Sequence, residues 1–292
     1  MYLLIGHDGD VCCQLVAAHL HARGHSVLTT AEPLNDENLF SWMLDTTHSR
    51  SRWQQQSGSP ITDTEWEGVL VRASGVPPAS EGWSTADFGY VRAETGAALI
   101  GWLHALPCPV VNRPRADLWF HPQRSFLEWH LLFEQCALPV PTFLITNDEQ
   151  AARDFARQWE GRVTYAPLTA AKRYPIATDE QWVELDKLME RLPVTLMEPC
   201  EGPLCYATLA GEELFWSADP DLSGAELTAF VTRLFTLAST LGLDFMQVEF
   251  SLEADGPRCL RVLLYPLFDR HSSADQEAIA VALAGLLNGG SR

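Results

Sequence analysis

The stretch that most limits how this chain folds runs from Leu241 to His271, LGLDFMQVEFSLEADGPRCLRVLLYPLFDRH. Two strand-like runs, alternating and then continuously apolar, flank Ala254-Asp255-Gly256. Asp-Gly between such runs is a hairpin signal, because tight hairpin turns need the positive φ that Gly tolerates. The first run carries one acid at its centre, Glu249, and the second closes on Leu263-Leu264-Tyr265-Pro266.

The rest of the chain alternates strands and helices. Tyr2–Ile5 reads as a buried strand, and a loop through Asp10 leads into an amphipathic helix from Val11 to Arg23 that Gly24 stops. Ser26–Thr30 is the next strand, which gives a β-α-β opening of the kind that builds a parallel sheet. The loop lacks GxGxxG and carries two acids, which excludes a dinucleotide pyrophosphate there and leaves Asp10 as a helix N-cap. Asn35 to Pro60 is polar and turn-rich: a helix is expected over Asn38–Leu44, then a mobile solvated loop, HSRSRWQQQSGSP. Gly68–Ala73 and Pro109–Asn112 are strands around a helix, Asp87–Ala105.

After these come a helix over Gln123–Cys136, a strand at Phe143–Ile145, and a helix capped by Asn147-Asp148. A strand at Arg162–Tyr165, a helix over Asp179–Arg191 and a strand at Pro193–Glu198 follow. Leu204–Leu209 and Glu213–Ser217 form a hairpin, and a long helix from Ala225 leads into the closing hairpin. Ser273–Leu287 is the last helix, and residues from Asn288 on are expected to fray.

This order, and three short motifs within it, resembles the ATP-grasp superfamily, nearest its ribosomal-protein-S6-modifying and peptide-modifying ligase branch. The motifs are Val110-Val111-Asn112-Arg113-Pro114 ("viN.p"), Leu138-Pro139-Val140-Pro141-Thr142 ("GlpvP.T") and the closing hairpin with Pro266. The resemblance implies an α/β, ATP-grasp-like fold with an N-terminal preATP-grasp-type domain over 1–114, a central subdomain over 115–195 and a C-terminal subdomain over 196–292. It also implies a cleft for ATP, with magnesium held by acids and an Asn of the closing hairpin.

The chain departs from that chemistry at the positions that carry charge. The family's Lys in "vVKPl" falls at Ala166, and its Arg in "dyRv.v.G" falls at Tyr206. The Glu and Asn ending the closing hairpin fall at Leu263 and Tyr265. Phosphoryl transfer needs cations on the phosphates and oxygen ligands on the metal, and a Leu supplies neither. Glu249 is the remaining candidate metal ligand. Glu198, in Leu196-Met197-Glu198, together with Arg124 and Lys172, forms the candidate nucleotide cleft. The loop expected to cover phosphates, Thr169 to Tyr174, has no Gly. No catalytic residue is assigned.

The expectation is a degenerate, non-catalytic ATP-grasp protein that needs no cofactor and binds a peptide, small molecule or partner enzyme. The alternative is an ATP- and magnesium-dependent carboxylate–amine ligase with relocated ligands at Glu249, Glu198, Arg124 and Lys172. A structural subunit whose Trp-rich surfaces form a homodimer or heteromer is the third reading.

Charge narrows the partners. Across 292 residues, 38 acids against 20 bases give a net charge of -18, which argues against nucleic acid and against anionic membranes. No apolar run approaches the ~20 residues of a membrane span, and no signal peptide is seen. An odd count of seven Cys in such a chain points to reduced thiols in the cytoplasm. His21 and His25 flank the helix-stopping Gly24 and read as polar helix-end residues rather than a metal pair. His271 reads as a surface loop residue, with a ligand-facing role as its alternative.

Overall fold

The structure is a computed structural model and describes residues 1–35, 38–55, 58–73, 82–119, 124–168 and 172–289. Strand β1 (Tyr2–Ile5), helix α1 (Val11–Ala22) and strand β2 (Val27–Thr30) follow the expected opening. Asp10 is the N-cap, its carboxylate accepting from the Cys13 N–H at 3.2 Å. Past the end of α1, Gly24 takes φ +84°, a conformation that costs an L side chain and that halts the helix.

The reading of residues 38–55 is corrected here. In place of a helix and a loop, β3 (Asn38–Leu44) and β4 (Ser49–Gln55) pair antiparallel, and β5 (Ile61–Thr62) joins β4. Asp45 closes the turn by accepting from the Thr47 and His48 N–H groups. The expected solvated Arg-Trp pair divides: Arg52 is exposed, but Trp53 is buried and its indole N–H donates to the Pro33 carbonyl at 2.7 Å.

Strand β6 (Gly68–Val71), helix α2 (Thr85–Ala105) and strand β7 (Val110–Val111) complete a parallel sheet of order β2-β1-β6-β7. It is covered on both faces, as parallel sheets are, and its side chains alternate between two cores. Tyr2, Leu4 and Leu70 face α1 and the last helix. Leu3, Ile5, Val69 and Val71 face α2 and the β3–β4 hairpin, where Trp53, Trp66 and Trp102 meet edge to face.

A short helix α3 (Ala116–Trp119) precedes α4 (Phe126–Gln135), which Ser125 and Glu128 start with a reciprocal capping box. Gln123, the expected helix start, lies outside the described residues. Strand β8 (Phe143–Thr146), helix α5 (Glu149–Arg157), strands β9 (Val163–Ala166) and β10 (Tyr174–Ile176), helix α6 (Asp179–Met189) and strand β11 (Val194–Met197) follow. They form an antiparallel sheet, β10-β9-β11-β8, over a core that includes Phe155, Trp182 and Leu185. Residues 169–171 of the expected phosphate-covering loop lie outside the described residues.

The third sheet has order β13-β12-β14-β15. It is made of β12 (Leu204–Ala210), β13 (Glu213–Trp216), β14 (Phe245–Glu253) and β15 (Gly256–Leu263), with α7 (Gly224–Leu241) packed against it. The closing hairpin turns on Ala254 and Asp255, with Glu253 opposite Gly256. Helix α8 (Ser273–Leu287) then crosses back and packs on α1. Asn288, expected to fray, instead accepts from the Tyr2 hydroxyl and donates to the Ala284 carbonyl. The end of the expected tail, 290–292, lies outside the described residues. No helix among the described residues is long and apolar enough to cross a membrane.

Two buried side chains tie the first sheet to the closing hairpin. Asn112 has φ 57°; its amide donates to the Phe245 carbonyl, and its oxygen accepts from the Phe245 N–H at 2.8 Å. Arg72 bonds Asp10 and donates to the Pro266 carbonyl at 3.1 Å. Asn112→Ala leaves both Phe245 groups unpaired in a buried place and keeps a strained φ. We expect a loss of about 2–4 kcal/mol in urea unfolding, with Asn112→Gly losing less because it relieves the backbone.

Candidate functional site

Strand β14 sets the site by alternation. Met246, Val248 and Phe250 pack into the core beneath the sheet, so Gln247, Glu249 and Ser251 share the other face. All three are buried, with Gln247 and Ser251 at 0% exposed and Glu249 at 2%. Each must therefore find partners inside the protein.

Glu249 finds two arginines. Its Oε1 accepts from Arg173 at 2.5 Å, and its Oε2 accepts from Arg261 Nη2 at 2.8 Å and Nε at 3.2 Å. Arg261 lies opposite Glu249 because the β14–β15 register shifts between Glu249 and Phe250. Arg173 comes from the segment entering β10, so this pair joins the second sheet to the third. On the other side of Glu249, β12 places Tyr206 opposite it, under the guanidinium of Arg270.

Magnesium does not fit this donor set. Both Glu249 oxygens face guanidinium donors, and a cation there would lie against two positive charges. Leu263 stands opposite Gln247 and offers no oxygen. The Tyr265 phenol is pushed up to about 12 by burial, with Arg72 opposing, so it stays neutral. Among the described residues, no group of three or more His, Cys, Asp or Glu side chains could hold a metal ion, and this includes His21 and His25. His21 Nδ1 instead contacts the His25 carbonyl.

The other candidates are placed as follows. Arg124 lines a small, tight cleft with Arg173, Arg261, Ala166 and Leu260, so it and Glu249 come together through shared arginines. Glu198 is 5% exposed and accepts from Arg258 Nε at 2.8 Å, and Arg258 also holds Asp255 at 2.6 Å. Lys172 points elsewhere: its amino group lies 5.0 Å over the Tyr174 ring, while its neighbour Arg173 reaches Glu249. Near Glu198, Gly202 is required by contact, since a Cβ there would meet the Leu252 carbonyl oxygen at 2.0 Å.

His271, read as a surface residue, is 6% exposed and this reading is corrected. The Gln247 amide donates to Thr208 Oγ1 at 2.9 Å, which leaves the Thr208 hydroxyl to donate to His271 Nε2 at 2.7 Å. That chain makes Nε2 an acceptor, so the ring is neutral. Burial pushes the His271 pKa below its ordinary 6.5.

A second concave surface lies on the far side of the middle sheet. The edge strand β10, with β9, forms an open apolar groove against α6. Tyr165, Tyr174, Ile176 and Leu188 line it, and Glu180 and Glu184 edge it.

No family sequence model matches the chain, and no curated protein sequence matches it. Solved structures do. The macrocyclase MdnC of Microcystis aeruginosa MRC, bound with precursor peptide MdnA, is 16% identical with a TM-score of 0.75, covering 99% of each chain. A Chryseobacterium gregarium RiPP-associated ATP-grasp ligase, in complex with ADP and a leader and core peptide, is 14% identical with a TM-score of 0.75, covering 100% of this chain and 97% of its own. The ATP-grasp ligase PsnB, complexed with a minimal precursor, Mg and ADP, is 18% identical with a TM-score of 0.69 over 98% of each chain. At these identities the likeness shows the fold: the chain has the ATP-grasp fold along its whole length.

Two outcomes follow from the buried groups. Arg261→Leu leaves Glu249 with one partner and costs about 3 kcal/mol, and adding Glu249→Leu recovers most of that loss, a coupling that a double-mutant cycle in urea would read. For His271, the folded pKa is lowered, so below about 6.5 the unfolded chain binds more protons than the folded one. Stability is full above that value and falls as pH drops below it; His271→Phe should flatten that slope in a urea titration across pH.

Proposed function

We propose that this chain is a non-catalytic, peptide-binding protein with an ATP-grasp fold, serving a pathway that modifies peptides. One observation carries the reading: the single carboxylate left at the metal position, Glu249, has both oxygens engaged by Arg173 and Arg261. Ala166, Tyr206, Leu263 and Tyr265 supply no replacement charge for the positions they occupy. Without magnesium on the phosphates, the developing charge of phosphoryl transfer has no metal partner.

The peptide half of the reading rests on the groove between β10 and α6. An edge strand beside an apolar trough can take an extended or helical segment, with backbone bonding at the edge and side chains in the trough. Glu180 and Glu184 favour basic residues beside apolar ones. Precursor peptides accompany the ATP-grasp structures of the same fold described above, which fits a peptide partner.

The test has two arms. Purified protein with ATP and magnesium, alone and with peptide, should release no ADP above a protein-free control; magnesium-dependent release would establish the ligase reading instead. Peptides selected from a random displayed library should be basic and apolar. They should bind Leu188→Glu and Tyr174→Ala about tenfold more weakly, read by fluorescence anisotropy. Selected peptides indifferent to both substitutions would overturn the groove assignment.

A further inference from the structure

Strand β3 is the edge of the small sheet β3-β4-β5: β4 holds one side of it, and nothing among the described residues pairs with the other. The Asp45 N–H donates to the His48 carbonyl, and bonded pairs alternate along an antiparallel ladder. The backbone groups of Phe40, Trp42 and Leu44 therefore point to the free side. Such an open row is a template for another strand, and soluble proteins blunt it with short strands, charge or Pro. The other edges among the described residues are blunted in this way. Strands β2, β5, β7, β8, β10 and β13 have two to four residues each. The long edge β15 carries Pro257, Arg258 and Arg261.

Strand β3 has none of these devices. Its seven residues, NLFSWML, include no charge, no Pro and no Gly. Phe40 and Trp42 turn inward onto α2: the Phe40 and Trp102 ring centroids are 5.3 Å apart, and a Cβ on Gly101 would lie 2.6 Å from the Trp42 ring. Leu39, Ser41 and Met43 face outward, with Leu39 65% and Met43 53% exposed, and Leu44 at the strand end is 63% exposed. Two copies of a chain with net charge -18 repel one another over most of their surface. Residues 38–55 carry one acid, Asp45, against Arg50 and Arg52, so two copies can approach at this hairpin without that repulsion.

We infer that β3 pairs with β3 of a second copy of this chain, antiparallel about a two-fold axis at Ser41, so that one sheet runs through both copies. The ladder fixes the register. The free backbone groups belong to even-numbered residues, so even residues must meet even ones across the seam. Full overlap of 38–44 then sets Phe40 of one copy opposite Trp42 of the other, Leu39 opposite Met43, and Ser41 opposite itself. The apolar outer row closes on itself, as an isologous contact requires. Arg52 lies opposite Ser41 on β4, so the Arg52 residues of the two copies are three strand spacings apart. That distance, about 14 Å, exceeds the ~8 Å over which salt screens charge. A seven-residue seam is only about 23 Å long, at the small end of specific interfaces, and the dimer is therefore concentration-dependent. The peptide groove lies on another sheet, so this inference stands apart from the functional reading.

The experiment is light scattering on full-length protein from about 1 to 200 μM, a range that spans the affinity of a small interface. The mass should rise from the 32.5 kDa of one chain toward twice that value and stop there. Leu39→Glu with Met43→Glu sets acid against acid across the seam and should weaken the dimer at least tenfold. Leu39→Lys with Met43→Glu sets Lys against Glu at both ends of the same register and should restore it. Both positions are exposed, so the urea midpoint of the single chain should not move. Ser41→Cys gives a second readout, because residues opposite at a non-bonded pair have Cα atoms about 4.5 Å apart, within disulfide range. Diamide should link two Ser41→Cys chains and leave Arg50→Cys and the parent chain, whose cysteines are buried or half-buried, unlinked. A mass that stays at one chain overturns the inference, as does one that grows past two. A dimer indifferent to the paired acids, or Ser41→Cys that does not link, overturns it equally.

Discussion

Burial of the polar face of β14 is the constraint on which the rest of the site depends. A strand with Gln247, Glu249 and Ser251 on one side normally turns that side to water. Here it is covered, and each polar group must be met by a protein partner or cost stability. Thr208 and His271 answer Gln247, and Arg173 and Arg261 answer Glu249. Glu253 and the Gly202 carbonyl answer Ser251. These partners come from β12, from β15, from the segment before β10 and from the residues after the hairpin. One strand thereby gathers most of the molecule around it.

Strand and helix order was legible because the physics there is local. Capping residues before α1, α5 and α8, and the Asp-Gly turn, announce themselves within a few positions. The β3–β4 hairpin was not legible. Over seven residues, NLFSWML fits helical and strand periods about equally, and the partner that decides is ten or so residues away. The site was half legible. Glu249 stands out as the central acid of its strand, but counting back from the turn would pair it with Leu260. The bulge slips β15 by one residue and brings Arg261 instead. Arg173, adjacent to Lys172 in sequence, was separated from it only by which side chain points inward. Arg72 and Asn112 gave no signal of their long-range partners, which lie far along the chain.

The ATP-grasp frame is held by residues other than those at the charged positions. Residues that build the frame are backbone-directed: Asn112 clasps Phe245, Arg72 clasps Pro266, and Gly202 admits Leu252. None of them depends on a nucleotide or a metal. Glu249 needs positive charge beside it whatever the source, and guanidinium groups meet that need with directed hydrogen bonds, with no metal to recruit. The residues that hold the frame are thus different from those that line the charged positions.

Helix α8 has a consequence for how the chain comes to be folded. The face of the first sheet bearing Tyr2, Leu4 and Leu70 is covered by Ile279, Leu283 and Leu287, and the Tyr2 hydroxyl is held by Asn288. Part of the cover for β1 therefore comes from far along the chain, since Tyr2 and Asn288 lie 286 residues apart. Contacts so distant in sequence close a long loop, and they form slowly. During synthesis this sheet would emerge with that face only partly covered, by Val16 and Leu20 of α1, a natural target for a holding chaperone until α8 follows.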